Sequence, residues 1–103
     1  MTAEETFERI ARSFLRDPAV SRGRMFGSEG LKINGKVFTM VVKGDLVVKL
    51  PAERCEGLVA AGHAHPFNPG HGRLMKEWVA VDLSRARHWP KLAKEARGFD
   101  GGD

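Results

Sequence analysis

Apolar and polar residues alternate along residues 25–50, and glycines interrupt the alternation at regular intervals. A period of two is typical of β-strands, because successive side chains point to opposite faces of a sheet. Asn34-Gly35 lies between two such runs and predicts a two-residue type I′ turn, since both positions tolerate a positive φ. We therefore predict a β-meander in which Leu31 pairs with Phe38.

The next turn of the meander decides which side of the third strand faces the core. A two-residue loop at Gly44-Asp45 would place Lys49 beside Met40, because a shift of one residue exchanges the two faces of a strand. A three-residue loop at residues 43–45 gives one continuous apolar face instead, and we predict this loop. The residues expected to face the helices are Phe38, Met40, Val42, Leu46, Val48 and Leu50.

Three segments show the helical period, with apolar residues three and four positions apart. The first follows Thr2 and Glu5, which form a capping box. The second begins near Pro51 and ends near Gly62, and the third has Pro90 in its first turn. The apolar positions of these helices are, in chain order, Phe7, Ile10, Ala11, Phe14 and Leu15; Cys55, Leu58 and Val59; and Trp89, Leu92, Ala93 and Ala96.

The segment between the second and third helices predicts a loop followed by a strand. Residues 63–72 have too many Pro and Gly for a central strand, so we expect a long loop that Phe67 pins to the core. Residues 73–82 are apolar on both sides, which indicates a strand at the centre of a sheet or in an interface. One side is formed by Met75, Val79 and Val81, and the other by Leu74, Trp78 and Ala80. The three glycines of residues 98–103 predict a loose tail.

These elements predict an α+β fold, a two-layer sandwich in which about three helices cover an antiparallel sheet. At 103 residues, 42% hydrophobic and 29% charged, the composition is that of one globular domain. No apolar run is long enough to cross a membrane, and the acidic N-terminus lacks the features of a signal peptide. We therefore expect a cytoplasmic protein, in which the lone Cys55 forms no intramolecular disulfide.

The sequence contains no short motif for catalysis, nucleotide binding or metal binding, so we expect neither an enzyme nor a cofactor. Cys55 falls in the apolar phase of a helix, and we interpret it as a buried side chain rather than a nucleophile. His63, His65 and His71 raise the hypothesis of a metal site. Because no cysteine or carboxylate completes that set, we interpret the three histidines as surface residues without a metal.

Positive charge is concentrated towards the two ends of the chain, with a formal net charge of +4 and a pI of about 9.6. Basic residues are usual on a solvated helix surface, but they also suggest contacts with nucleic-acid phosphates. No helix-turn-helix or aromatic-basic platform accompanies them. The candidate phosphate contacts are Arg9, Arg12, Arg16, Arg22, Arg24, Lys91, Lys94 and Arg97.

The second face of the predicted sheet favours self-association. All the helices are needed to cover the first face, whereas the second would stay apolar, and monomers seldom expose large apolar patches. We expect a symmetric homodimer, unless the loop at residues 63–72 folds over this face. The interface candidates are Val37, Thr39, Val41, Val47 and Trp78.

Short sequence blocks carry a resemblance to a known family. They are Met25-Phe26-Gly27-x-x-Gly30-Leu31, Gly35-Lys36-x-Phe38, Gly44-x-Leu46-Val47-Val48-Lys49, Ala60-Ala61-Gly62, Pro66-Phe67 and Gly72-Arg73-x-Met75. Together they resemble the N-terminal domain of bacterial competence regulators of the TfoX/Sxy type, over about residues 5–99. The segment after Met75 departs from the family's common Tyr-rich strand, which suggests a stand-alone subgroup.

The resemblance implies the element order α-β-β-β-α-β-β-α, similar to that of secretion chaperones. This order has one strand more than the pattern predicts, which must come from the segment near Phe67 or from splitting residues 23–33. Full-length regulators of this type have a second, helical domain and act with a cyclic-AMP receptor protein, and their N-terminal domain has no established catalytic residues. We therefore expect a single-domain, non-catalytic regulatory or protein-interaction module, with direct nucleic-acid binding as the alternative.

Overall fold

The computed structural model describes residues 2–25, 27–67 and 76–101 of the chain. Its elements are α1 (Ala3–Phe14), β1 (Val20–Met25), β2 (Ser28–Ile33), β3 (Lys36–Val42), β4 (Asp45–Lys49), α2 (Ala52–Ala60), β5 (His65–Pro66), β6 (Trp78–Val81), a 3-10 helix (Leu83–His88) and α3 (Trp89–Asp100). The order of helix, strands, helix, strands and helix confirms the α+β class. Both suggested sources supply a strand, because residues 20–33 form two strands and β5 precedes Phe67. Among the described residues, four strands therefore lie between α1 and α2, one more than the implied order has there.

The described strands form one antiparallel sheet in the order β1-β2-β3-β4-β6-β5, and its buried side chains divide between two faces. The helix face, which packs against the apolar stripes of the helices, carries Leu31, Ile33, Phe38, Val41, Leu46, Val48, Val79 and Val81. The second face carries Met40, Val47, Trp78 and Ala80, with Phe67 packed against them. The two apolar sides predicted for β6 are therefore confirmed at residues 78–81, whereas Leu74 and Met75 lie outside the described residues.

The meander has two tight turns of the same kind. Asn34-Gly35 forms the predicted two-residue turn, with φ of 51° and 85°. The second turn is Lys43-Gly44, with φ of 48° and 87°, because Val42 pairs directly with Asp45. The predicted three-residue loop is therefore wrong. Lys43 adopts the left-handed conformation that Asn and Gly usually supply in such turns, so the sequence carries little signal for this loop.

A β-bulge in β3 overturns the predicted pairing of Leu31 with Phe38. Lys32 pairs with Val37 but Leu31 pairs with Thr39, which leaves Phe38 as the extra residue. Phe38 and Thr39 thus both lie on the helix face, and alternation after them sends residues 40 and 42 to the second face, contrary to our prediction. On β4, Leu46 and Val48 face the helices as predicted, as does residue 50 beyond it.

The predicted caps and stripes of the helices are confirmed. The hydroxyl of Thr2 accepts from the backbone N–H of Glu5, whose carboxylate accepts in return from the Thr2 N–H at 2.9 Å. At the end of α2, Gly62 has φ of 76°, and the N–H of His63 donates to the Leu58 carbonyl, as in a Schellman motif. No helix of the described residues is long and apolar enough to cross a membrane.

The C-terminal helix continues further than predicted. Residues 98–100 belong to α3, so the predicted loose tail is wrong for them. The Asp100 side chain is only 3% exposed and lies 3.6 Å from the Lys49 ammonium, measured from carboxylate oxygen to Nζ. Gly101 then packs so closely on Ile33 that an added Cβ would lie 3.0 Å from its terminal carbon. Contacts with β2 and β4 therefore hold the end of the helix despite its glycines.

Candidate functional site

A groove of about 780 Å³ runs between α1 and α3. Its apolar wall is made by Ile10 and Phe14, from the edge of the buried stripe of α1, and by Pro90 in the first turn of α3. Arg9 directly precedes Ile10, and Lys94 lies one helical turn after Pro90. Both basic residues border the groove. An amphipathic helix places apolar and charged side chains next to each other at the edge of its buried stripe, so two adjacent helices produce an apolar groove with a basic rim.

An ion pair between Asp17 and Arg97 forms part of the lining of this groove. The Arg97 guanidinium donates to the Asp17 carboxylate at 2.6 and 3.2 Å, and the N–H of Ala19 donates to its other oxygen at 2.9 Å. The Ala19 hydrogen bond, and then Arg97, hold the pKa of Asp17 below its usual range. The pair ties the loop after α1 to α3. Arg97 is therefore half-buried and paired, whereas Lys94 is exposed.

The predicted arginines near the N-terminus do not join this groove as one set. Arg22 on β1 and Arg12 on α1 share the Glu8 carboxylate, at 2.7 and 3.4 Å. The hydrogen bond from Arg22 is the main cause that lowers the pKa of Glu8. Arg24 lines a separate cleft that also contains Glu29. Of the eight candidate phosphate contacts, the groove thus contains Arg9, Lys94 and Arg97.

A second basic region lies where α2, the 3-10 helix and α3 meet, and we call it the junction cleft. It is lined by Arg54, Leu58, His63, Arg85, His88, Lys91 and Leu92 and has a volume of about 270 Å³. It takes in Lys91, which the sequence grouped with Lys94. Arg54, Arg85 and His88 are not among the candidates that the sequence predicts. The close spacing of basic residues from Arg85 to Lys91 is a sequence signal that indicates Arg85 and His88 as further basic candidates.

Two of the groups considered for catalysis or metal binding, Cys55 and His65, make local contacts. Cys55 is buried, its thiol lies 3.6 Å from the Leu50 carbonyl oxygen, and burial raises its pKa. It is a packed side chain, as predicted. His65 lies 3.2 Å from the carboxylate of Asp45. The described residues contain no group of three or more potential metal ligands, and His71 lies outside them.

The proposed dimer patch is closed within one chain. Thr39 and Val47 are fully buried and Val41 is 8% exposed, and Thr39 and Val41 belong to the helix face. Val37 is half-buried against the second-face cluster, where Phe67 packs on Trp78 with ring centroids 6.4 Å apart. Phe67 therefore pins its segment to the core, as predicted. The patch that favoured self-association is not exposed, so that argument for a dimer no longer holds.

These features define a class of protein: a small α+β module with basic residues along two surface grooves. The sequence matches the family described as TfoX N-terminal domain over residues 13–97, which is most of the chain. The chain therefore belongs to this family and is a competence-regulator-like module. No curated protein matches it.

Proposed function

We propose that the chain is a non-catalytic regulatory module that acts by binding a protein partner in the groove between α1 and α3. The observation that carries this proposal is the combination of an apolar wall, formed around Ile10 and Phe14, with a basic rim at Arg9 and Lys94. An amphipathic helix binds such a groove through its apolar face. The basic rim selects a helix with acidic residues beside that face.

The size and charge of the groove fit this occupant. The 12 residues of α1 extend over about 18 Å, which matches three turns of a bound helix. Three cationic side chains and one carboxylate, that of Asp17, line the groove, so its net charge is positive.

The distribution of charge supports a protein partner over nucleic acid. The basic residues fall into separate regions, and several are paired: Arg12 and Arg22 with Glu8, and Arg97 with Asp17. Binding along a phosphate backbone favours a continuous basic surface without carboxylates. Direct nucleic-acid binding is therefore the second candidate, and the same variants distinguish the two.

A photo-crosslinking amino acid at Ser13, which is exposed in the groove, tests the proposal. In cells of the source organism we expect a crosslink to a defined acidic, amphipathic segment of one protein. A crosslinker at Lys43, in the second meander turn, should not reach that segment. Crosslinks that map to unrelated segments, or equally from both positions, would overturn the groove as the binding site.

Charge reversal supplies the matched comparison. Arg9→Glu with Lys94→Glu should abolish the Ser13 crosslink, whereas Arg24→Glu with Lys76→Glu changes the net charge equally outside the groove and should leave it intact. Both double variants should be titrated with duplex DNA at low and high salt. If DNA is the ligand, both lose affinity through counterion release, with a log–log salt slope near −0.9 per phosphate contact. That result would replace the protein partner by nucleic acid.

A further inference from the structure

The junction cleft brings together side chains that are positively charged or become so on protonation. They come from different elements: Arg54, His63, Arg85, His88 and Lys91. Leu58 and Leu92 form the apolar part of the cleft. None of these residues lines the groove between α1 and α3, so the two sites are separate.

Hydrogen bonds anchor Arg54 and the backbone segments that carry His63, Arg85 and His88. Two hydrogen bonds of 3.1 Å join the Arg54 guanidinium to the Glu95 carboxylate, which orients the arginine along α3. His63 is the residue after Gly62 in the motif that ends α2. The 3-10 helix that carries Arg85 and His88 is capped by Asp82, whose carboxylate accepts from the Ser84 N–H at 3.0 Å. The backbone around the cleft is therefore well anchored.

The cleft has an excess of positive charge. Among the described residues, Arg85 and Lys91 form no ion pair, and the carboxylate of Glu95 already pairs with Arg54. Burial, followed by the charges of Arg85, Arg87, His63 and Lys91, lowers the pKa of His88. Cations that repel one another in a cleft are stabilised when an anion enters it.

We propose that the junction cleft binds the phosphate group of a small molecule. Guanidinium groups match the tetrahedral oxygens of phosphate with paired, charge-assisted hydrogen bonds, and a lysine adds a point charge. The volume of about 270 Å³ lies just below the usual range for drug-sized ligands, which favours inorganic phosphate or a small phosphomonoester over a nucleotide. This ligand would give the module a second, small-molecule input that is independent of its protein partner.

Titration with inorganic phosphate, followed by NMR of the histidine ring signals, tests the site. We expect saturable shifts of the His63 and His88 signals, while His65, which lies beside Asp45, serves as an internal reference. Phosphoserine in a parallel titration distinguishes a phosphomonoester, which should then bind more tightly, from inorganic phosphate. Equal shifts with acetate, or no shifts up to about 10 mM phosphate, would overturn the proposal.

Variants locate the binding. Arg85→Gln with Lys91→Gln should weaken phosphate binding by about tenfold or more, because it removes charge-assisted hydrogen bonds. Arg24→Gln with Lys76→Gln removes the same charge elsewhere and should leave binding unchanged. Equal weakening in both variants would mean general attraction to a basic protein, and it would refute a specific site. Circular dichroism confirms that each variant is folded before it is titrated.

The pH dependence gives an independent readout from the histidines. Sulfate is the probe here, because unlike phosphate it keeps its charge between about pH 6 and pH 8 while imidazoles titrate. Binding should tighten as the pH falls, since the anion favours protonated His88, and His88→Gln should remove part of that dependence. A pH-independent affinity would exclude His88 from the site. Among the described residues, the charged or titratable groups that act on His88 or line its cleft are Arg54, His63, Arg85, Arg87 and Lys91. Asp82 caps the 3-10 helix that carries His88, and Glu95 pairs with Arg54.

Discussion

Replacing Asp100 with asparagine should stabilise the protein at neutral pH, although it removes an ion pair. One Asp100 carboxylate oxygen is buried without a hydrogen-bond partner among the described residues, and the other lies 3.6 Å from Lys49. The carboxylate is also at the C-terminal end of α3, where the helix dipole disfavours negative charge. Burial is accordingly the main cause that raises the pKa of Asp100.

The sign and size of the effect follow from these contacts. The pKa of Asp100 is higher in the folded than in the unfolded chain. The protonated carboxyl therefore contributes its full stability at a pH below the unfolded-state pKa, and this contribution is lost as the pH rises through the folded-state pKa. Leaving the charged oxygen unpaired costs about 1–3 kcal/mol, whereas the partly exposed pair with Lys49 contributes about 0–1 kcal/mol. We expect Asp100→Asn to gain about 1 kcal/mol at neutral pH, an increase in Tm of about 4–8 °C for a domain of this size.

Urea denaturation from about pH 4 to pH 8 measures this gain, which should shrink towards acid as the wild-type carboxyl protonates. Asp17→Asn is the opposite control. Ala19 and Arg97 lower the pKa of Asp17 in the folded chain. The Asp17 carboxylate therefore stabilises the fold at a pH above the unfolded-state pKa, and this stabilisation is lost as the pH falls through the folded-state pKa. That variant should be less stable than the wild type at neutral pH, and the difference should disappear in acid. If Asp100→Asn destabilises the protein equally at every pH, the reasoning is refuted.

Three further substitutions test the sheet. Phe38→Ala should destabilise the protein by about 3–5 kcal/mol in urea denaturation, because the fully buried ring packs edge-on against Phe14 at 5.7 Å; a loss below about 1 kcal/mol would contradict the bulge that places it there. Lys43→Asn should raise the free energy of unfolding by about 0.5 kcal/mol and Lys43→Val should lower it, because residue 43 has a positive φ in the turn. Equal effects of the two variants would argue against the two-residue loop. Val41→Lys should unfold the protein at any concentration, because it buries a charge on the helix face. A variant that stays folded and has half the native mass by sedimentation would instead support the predicted dimer interface.

Local signals predicted the helices well because each signal acts within one or two turns. The capping box of Thr2 and Glu5 and the apolar stripe that includes Phe7 are read from spacing alone, and both occur in the structure. Gly62 likewise needs only its own positive φ to end α2. The end of α3 could not be predicted in this way, because Asp100 is held by Lys49, a contact between residues far apart in the chain.

The candidate site was only partly predictable, for the same reason. Sequence identified Arg9, Lys94 and Arg97 as basic surface residues, but only the placement of α1 and α3 on the same face of the sheet brings them into one groove. Pairing also depends on tertiary structure. Glu8 lies between Arg12 and Arg22 because β1 returns beside α1, and this converts two apparent phosphate contacts into parts of an ion-pair cluster.

The inward face of β4 agreed with prediction although both arguments for it were wrong. The bulge at Phe38 adds one residue before the turn, and the loop of Lys43-Gly44 is one residue shorter than expected. Each change alone exchanges the faces of β4, and together they leave Leu46 and Val48 pointing at the helices. The apolar alternation of β4 therefore constrains the total number of residues in the bulge and the turn, and not the number in either one alone. Met40 and Val41 lie after the bulge and before the turn, so only the bulge affects them. Each therefore lies on the face opposite to the predicted one, whereas β4 faces the helices as predicted.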